Sequence, residues 1–416
     1  MLECIGTKYN ENGDHKMKNR LNLSYTAVQA AYCMLFAVVL SFSSVYLLPK
    51  GYSNTEIGTI LALVNIISVL LLPLFGDAAD RSKKLSLAQI TGIFSFILLF
   101  LMSMLFLFES RSATLTIIFV VLGGLMVSLS PIINSIAFQY SSFSNPINYG
   151  VARSGGSIAY SGISMLLGYL VFTFGTNTIP SVGVAVLVML LFSLFTTEKL
   201  YNSGIALSQD EHGSAKALKV DEPISLIDFV KRNKMLFIFS LGTLLVFFQN
   251  AIINNYLFQI IEPIGGTSSD MGTIFSYMAI LELPGLFFFD KINKKISCQT
   301  MLKISSAAFI LKVFFTYTAK SVGLIYFAFA FQLISFPFYL ASSVHLVHKL
   351  MDRREAVKGQ SLISGMMTLS AVFASLWGGM VLDSGGPSQL LLLSTILCVL
   401  GSGVVIMTVG KIKSNK

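Results

Sequence analysis

Long apolar stretches alternate with short polar segments along the whole chain. Twelve stand out, near 21–48, 54–75, 85–108, 113–139, 147–174, 177–197, 235–260, 270–290, 299–319, 321–348, 356–382 and 387–410. Each is close to the ~20 apolar residues that a helix needs to cross a hydrocarbon core. The pattern therefore predicts an all-α membrane protein with 12 transmembrane helices. The stretches 147–174 and 177–197 are parted only by Gly175 and Thr176. The single long polar interruption, 198–233, divides the chain into two pseudo-symmetric six-helix bundles. The expected organisation is a tail at 1–20, bundles at 21–197 and 234–410 joined by the loop 198–233, and a tail at 411–416.

Composition supports this reading: 54% of residues are hydrophobic and 12% charged, against about 25% charged in soluble domains. The net charge of +9 would suit a nucleic-acid partner, but its distribution points elsewhere. With the N-terminus inside, cytoplasmic loops and tails hold 24 of the 29 Lys and Arg residues; external loops hold Lys50, Arg111 and Lys320. That bias sets topology, with both termini in the cytoplasm of a cell-membrane protein. No nucleic-acid partner is expected. The first twenty residues are polar and the apolar run after them is too long for a signal peptide. Cys4, Cys33, Cys298 and Cys398 stand far apart, which argues against a metal site or a disulfide framework. No cofactor motif, nucleophilic triad or phosphate loop is visible, so an enzyme is not expected.

The halves echo each other. Gly76-Asp77-Ala78-Ala79-Asp80-Arg81 with Lys83-Lys84 follows span two, and Gly285 through Asp290-Lys291 with Lys294-Lys295 follows span eight. Two parallel halves are a transporter layout.

Three formal charges lie inside the spans and not at their ends: Arg153, Glu282 and Lys312. A charge at the middle of a membrane helix costs roughly 3 kcal/mol on insertion scales and usually faces a cavity. Helical spacing puts Arg153, Ser157, Tyr160, Ser161 and Ser164 on one stripe. A guanidinium, hydroxyls and a ring suit a polar ligand with an apolar side; the alternative is an arginine that snorkels to the cytoplasm from near the start of its helix. Asn134 in span four, Asn250, Asn254 and Asn255 in span seven, and Gln332, Ser335 and Tyr339 in span ten add buried polar groups. They either contact ligand or join helices, at ~0.6 kcal/mol per hydrogen bond. Glu282 and Lys312 sit on helices joined by a short loop. Burial favours a neutral carboxyl and a nearby cation favours an ionised one, a competition that lets a conformational change load or release a proton. A permanent ion pair locking the two helices is the plainer alternative.

The segment 76–84 resembles the loop motif of the major facilitator superfamily, G-x-x-x-D-R-x-G-R-R, with Lys83 where the second glycine stands. Within that superfamily the chain resembles the lactose permease-like group of proton-linked sugar and nucleoside symporters. Tyr149-Gly150-Val151-Ala152-Arg153 through Gly156-Ser157 matches the group's F/Y-G-x-x-R-x-x-G-S/C segment, and Glu282-Leu283-Pro284 its E-I/L-P. The resemblance implies that Arg153 binds solute hydroxyls, Tyr160 stacks on a sugar ring, Glu282 takes part in proton transfer, and Asp80 and Arg81 gate the cytoplasmic side. Lys312 stands where the group usually has an arginine. Two positions depart from the pattern: Asn134 replaces a carboxylate three residues after Pro131, and Gln332 and Ser335 replace a histidine and a glutamate in span ten.

The resulting expectation is a monomeric secondary transporter in a lipid bilayer. It would carry a small polar solute (sugar, nucleoside or sugar acid) with a proton by alternating access. Asn134, Arg153, Ser157, Tyr160, Asn250, Asn254 and Gln332 would bind solute, and Glu282 and Lys312 would couple the proton. Arg153 without its carboxylate partner would tolerate an anionic solute, whereas a neutral Lys312 would restore a sugar-type charge balance. The rivals are efflux of amphipathic drugs by proton antiport, for which 34 Phe and 15 Tyr speak, and a non-transporting sensor or scaffold.

Overall fold

The computed structural model describes the backbone of residues 2–81, 86–139, 147–207, 226–351 and 353–412, and side chains over 19–72, 86–137, 147–202, 229–351 and 355–412. Helix is the framework throughout. Ten stretches are long and apolar enough to cross a membrane: Asn19–Ser41, Asn54–Leu72, Leu87–Leu107, Ala113–Ala137, Tyr149–Phe174, Thr178–Asn202, Lys234–Ile264, Cys298–Thr318, Val322–Leu350 and Glu355–Val409. The last is two spans joined at Gly386–Pro387, where the backbone leaves helical angles. Ser268–Phe287, less apolar because it carries Glu282 and Asp270, is the remaining span. The expected 12 spans are thus all present, and they keep their sequence numbers below.

Helix starts follow from local chemistry. Ser86 and Gln89 form a reciprocal capping box at span three, and Thr267 and Asp270 form another at span eight. Ser112 caps span four by accepting from the Leu115 N–H at 3.1 Å. Each cap satisfies backbone donors that a helix end leaves open.

Contacts sort the chain into two compact units. One comprises Met1–Leu40, Ile66–Ile163 and Asn177–Leu218. In it, span one packs on span six, with Ser24 and Thr197 hydroxyls 2.7 Å apart, and spans three and six run together.

The other comprises Ser41–Asn65, Ser164–Thr176 and Lys219–Lys416, so the first half of span two and the last turns of span five pack with the C-terminal half of the chain. Its core includes Phe239, Phe247, Phe309 and Tyr339, with Phe247 5.8 Å from Phe309 and 5.3 Å from Tyr339 between ring centres. Gly168 and Gly272 let spans five and eight touch backbone to backbone. A Cβ on Gly168 would lie 2.6 Å from the Ser268 carbonyl oxygen, and one on Gly272 would meet the Ser164 carbonyl. Small residues at such crossings are how membrane helices gain packing contacts when lipid is as apolar as leucine.

Span two enters this unit through its first turn. The Asp383 carboxylate accepts from the Asn54 backbone N–H at 3.1 Å, the Asn54 amide at 2.9 Å and the Thr55 backbone N–H at 2.8 Å. Gln259 donates to Asn54 Oδ1 at 3.1 Å, and the Tyr256 hydroxyl donates to the Ser375 carbonyl at 2.5 Å.

Candidate functional site

In the first unit a polar cluster forms around span one. Tyr25, Gln29, Tyr32 and Cys33 occupy one stripe of that helix (i, i+4, i+7, i+8). Gln29 is buried and its Nε2 donates to the Tyr25 hydroxyl at 2.6 Å and to Asn134 Oδ1 at 3.0 Å. Tyr25 and Tyr32 donate to the carbonyls of Ile133 and Met126, at 3.0 and 3.2 Å, on either side of the break that Pro131 introduces in span four. Pro131 has no N–H and so disrupts the helical ladder there. Arg153 completes the cluster: its Nη1 donates to Cys33 Sγ at 3.3 Å. The arginine is exposed. Among the described residues the thiol is its only hydrogen-bonding partner, and no carboxylate pairs with it.

Ser157 and Tyr160 follow Arg153 on span five and are half-buried. Ser164, on the same predicted stripe, is fully buried with the second unit instead, and its carbonyl faces Gly272.

The second unit joins its two intramembrane charges through an amide. Lys312 Nζ donates to Gln332 Oε1 at 2.7 Å, and Gln332 Nε2 donates to Glu282 Oε1 at 2.7 Å. Lys312 and Gln332 are buried, while Glu282 is half-buried. The Phe329 ring lies 5.0 Å from the ammonium and offers its negative face to it. Backbone chemistry brings these helices together. Pro284 and Pro337 each remove one helical hydrogen bond, and the carbonyl that Pro337 frees is that of Leu333. Gly285 fits against that carbonyl, where a Cβ would come within 2.9 Å. Glu282, one turn before Gly285, therefore meets Gln332, the neighbour of Leu333.

The other predicted groups fall in different places. Among the described residues, buried Asn250 has its Oδ1 unpartnered, and Gln249 beside it has both amide atoms unpartnered. Asn254 is half-buried, while Asn255 donates to Ser375 Oγ at 2.9 Å and serves a helix contact. Tyr339 bonds the Thr243 hydroxyl at 2.7 Å within the core. The side chains of Asp80 and Arg81, expected to gate, lie outside the described residues. Sequence reasoning missed Tyr25, Gln29, Tyr32 and Cys33. Their signal was a helical period of polar groups within an apolar span. It also missed the engagement of Asp383 with span two, for which no local signal exists.

Ionisable groups within the spans, one of them fully buried, and broken helices beside them are features common in transporters. The MFS_1 like family model matches residues 25–393, and the chain belongs to that family, within the major facilitator superfamily. It is 23% identical over 401 residues to "Uncharacterized transporter YwbF" of Bacillus subtilis (strain 168), covering 94% of this chain and 95% of that one. It is 22% identical over 392 residues to "Maltose permease" of Geobacillus stearothermophilus, covering 92% and 93%. Among solved structures, nucleoside transporter NupG superposes with a TM-score of 0.75 at 17% identity, over 94% of this chain and 100% of that one. A bacterial homologue of the iron transporter ferroportin, in an inward-facing state, does so with a TM-score of 0.71 at 16% identity, over 95% and 98%. The chain is a multi-pass membrane transporter of this superfamily.

Proposed function

We propose that the chain is a monomeric, proton-coupled symporter of a small polar solute in the cell membrane, with both termini cytoplasmic. The observation that carries this reading is the buried Lys312–Gln332–Glu282 hydrogen-bond chain. Buried ionisable groups in a membrane span are costly and mark ion or substrate pathways. Among the described residues Glu282 is the one acid held deep in a span, and its half-burial gives it the access to solvent that Lys312 lacks. Proton uptake there removes the negative end of the chain and leaves Lys312 unbalanced. The protonation state of Glu282 thus changes which arrangement of spans eight, nine and ten is favoured, which is what alternating access requires of a coupling group.

Solute binding falls to the Arg153 cluster, where hydroxyls, amides and a guanidinium converge. Drug efflux is less well supported, because these groups are polar and hydrogen-bonded. With the termini inside, the Asp383–Asn54 contact stands at the outer face.

The test is solute-induced alkalinisation of a weakly buffered cell suspension. Wild type should alkalinise the medium and accumulate solute, and Glu282→Gln should do neither while still equilibrating solute down its gradient. Accumulation retained in Glu282→Gln would remove Glu282 as the coupling group.

A further inference from the structure

The two clusters differ in charge balance. In the second unit, Lys312 is balanced by Glu282 through one amide. In the first unit, Arg153 is not balanced among the described residues: its partner is a thiol, a weak acceptor, and no carboxylate pairs with it. The neighbouring acceptors are already engaged. Asn134 Oδ1 takes the Gln29 amide, and the Tyr25 hydroxyl receives the other Gln29 contact while donating to Ile133. A guanidinium carries five donors in a planar fork, so most of Arg153's capacity faces outward from an exposed side chain.

We infer that Arg153 receives an oxyanion carried by the transported solute, a carboxylate or phosphate of the sugar-acid or sugar-phosphate class. The inference rests on the reading of the chain as a polar-solute transporter and narrows its substrate. Water satisfies the exposed guanidinium while the site is open. A solute that covers it displaces that water, and a neutral hydroxyl leaves the charge uncompensated where the dielectric has fallen. A carboxylate or phosphate accepts two parallel N–H bonds and cancels the charge. Asn134 matters because it is an amide: it takes part in the cluster's hydrogen bonds without supplying the anion that would pair internally with the arginine.

Binding to the purified full-length protein, read by thermal shift and calorimetry, tests this with three probes on one sugar ring. These are methyl β-D-glucuronide, glucose 6-phosphate and methyl β-D-glucoside. At least one anionic probe should bind about tenfold or more tightly than the glucoside, a gap of the size charge-assisted bidentate bonds produce. The carboxylate and phosphate arms then separate the two sources. Arg153→Gln should abolish the preference. Asn134→Asp, which places an internal carboxylate in the cluster, should lower anion affinity about tenfold with Arg153 intact, so the outcome does not hang on one variant's folding. Equal or tighter binding of the glucoside, binding of none of the three, or anion binding indifferent to both substitutions overturns the inference. Proteoliposome flux keeps the readings apart. Flux of the neutral glucoside without anion preference overturns the anion assignment and leaves transport standing. Anion binding at Arg153 that never yields flux supports the anion site and sinks the proposed symport of that solute.

Discussion

Asp383 holds the first turn of span two by accepting the backbone N–H groups of both Asn54 and Thr55, at 3.1 and 2.8 Å. A carboxylate on the open N–H groups of a helix start satisfies donors and meets the positive end of the helix dipole. Asp383→Asn should weaken the contact by roughly 0.5–2 kcal/mol, the range for a lost N-terminal cap. Hydrogen exchange in a peptide covering residues 54–60 should accelerate several-fold. Unchanged exchange would show that the close packing of Gly58, where a Cβ would lie 2.5 Å from the Tyr256 hydroxyl, and not the carboxylate, holds this end.

The same contact sets an acid limit. Partial burial pushes the Asp383 carboxyl up, but hydrogen bonds from Thr55 and Asn54 outweigh it and leave it below its ordinary 3.8. A depressed acid stabilises above its unfolded value and loses that contribution as pH falls through the folded one. The wild-type melting temperature should therefore exceed that of Asp383→Asn above pH 4. The difference should shrink as pH is lowered further, and a gap that widens in acid would contradict the assignment.

Gln332→Leu should do more than delete a hydrogen bond. It strips Lys312 Nζ and Glu282 Oε1 of their shared partner, and a buried group left unsatisfied costs about 1–3 kcal/mol, more when charged. A lower melting temperature is expected, with recovery in the Gln332→Leu/Lys312→Met double variant because the orphaned cation is gone. A double variant less stable than the sum of its single substitutions would refute the relation between the two residues.

Gly272→Ala puts a methyl group against the Ser164 carbonyl, a backbone atom that cannot rotate away. Overpacking of this kind costs typically 1–3 kcal/mol. Spans five and eight should separate, raising the reactivity of a cysteine at Ser268 toward an impermeant maleimide applied from outside. Reactivity equal to that of the Gly272 parent would mean that the crossing has slack.

Gln29→Leu should disorder Asn134 and Tyr25 together, because one Nε2 serves both. We expect a several-fold loss of solute affinity with coupling stoichiometry unchanged, measured by binding and by charge moved per solute.

The apolar periodicity predicts the spans well because lipid forces every backbone polar group to be satisfied within its own helix. Span eight shows where that signal thins: Glu282 and Asp270 lower its hydropathy, yet caps and packing hold it as a helix. Arg153, Glu282 and Lys312 were conspicuous as charges among apolar residues. Their connections were not. Nothing in the spacing says that Gln332 would stand between Lys312 and Glu282, because that meeting depends on Gly285 fitting beside the carbonyl freed by Pro337. The attachment of Asp383 to Asn54 joins segments far apart in sequence, and no local pattern encodes it. The stripe from Tyr25 to Cys33 was legible in principle, masked by the aromatic and small character of its residues.

Gln332 also fixes the route a proton can take. A side-chain amide forms hydrogen bonds at both ends but does not pass a proton along them without becoming an imidic tautomer, and Lys312 beyond it is sealed from solvent. The chain is therefore a cul-de-sac. On the proposed coupling, a proton taken up by Glu282 is not passed on to Lys312 through Gln332. In the proposed cycle the vectorial step then lies in which compartment Glu282 is turned toward, and not in conduction along this hydrogen-bond chain.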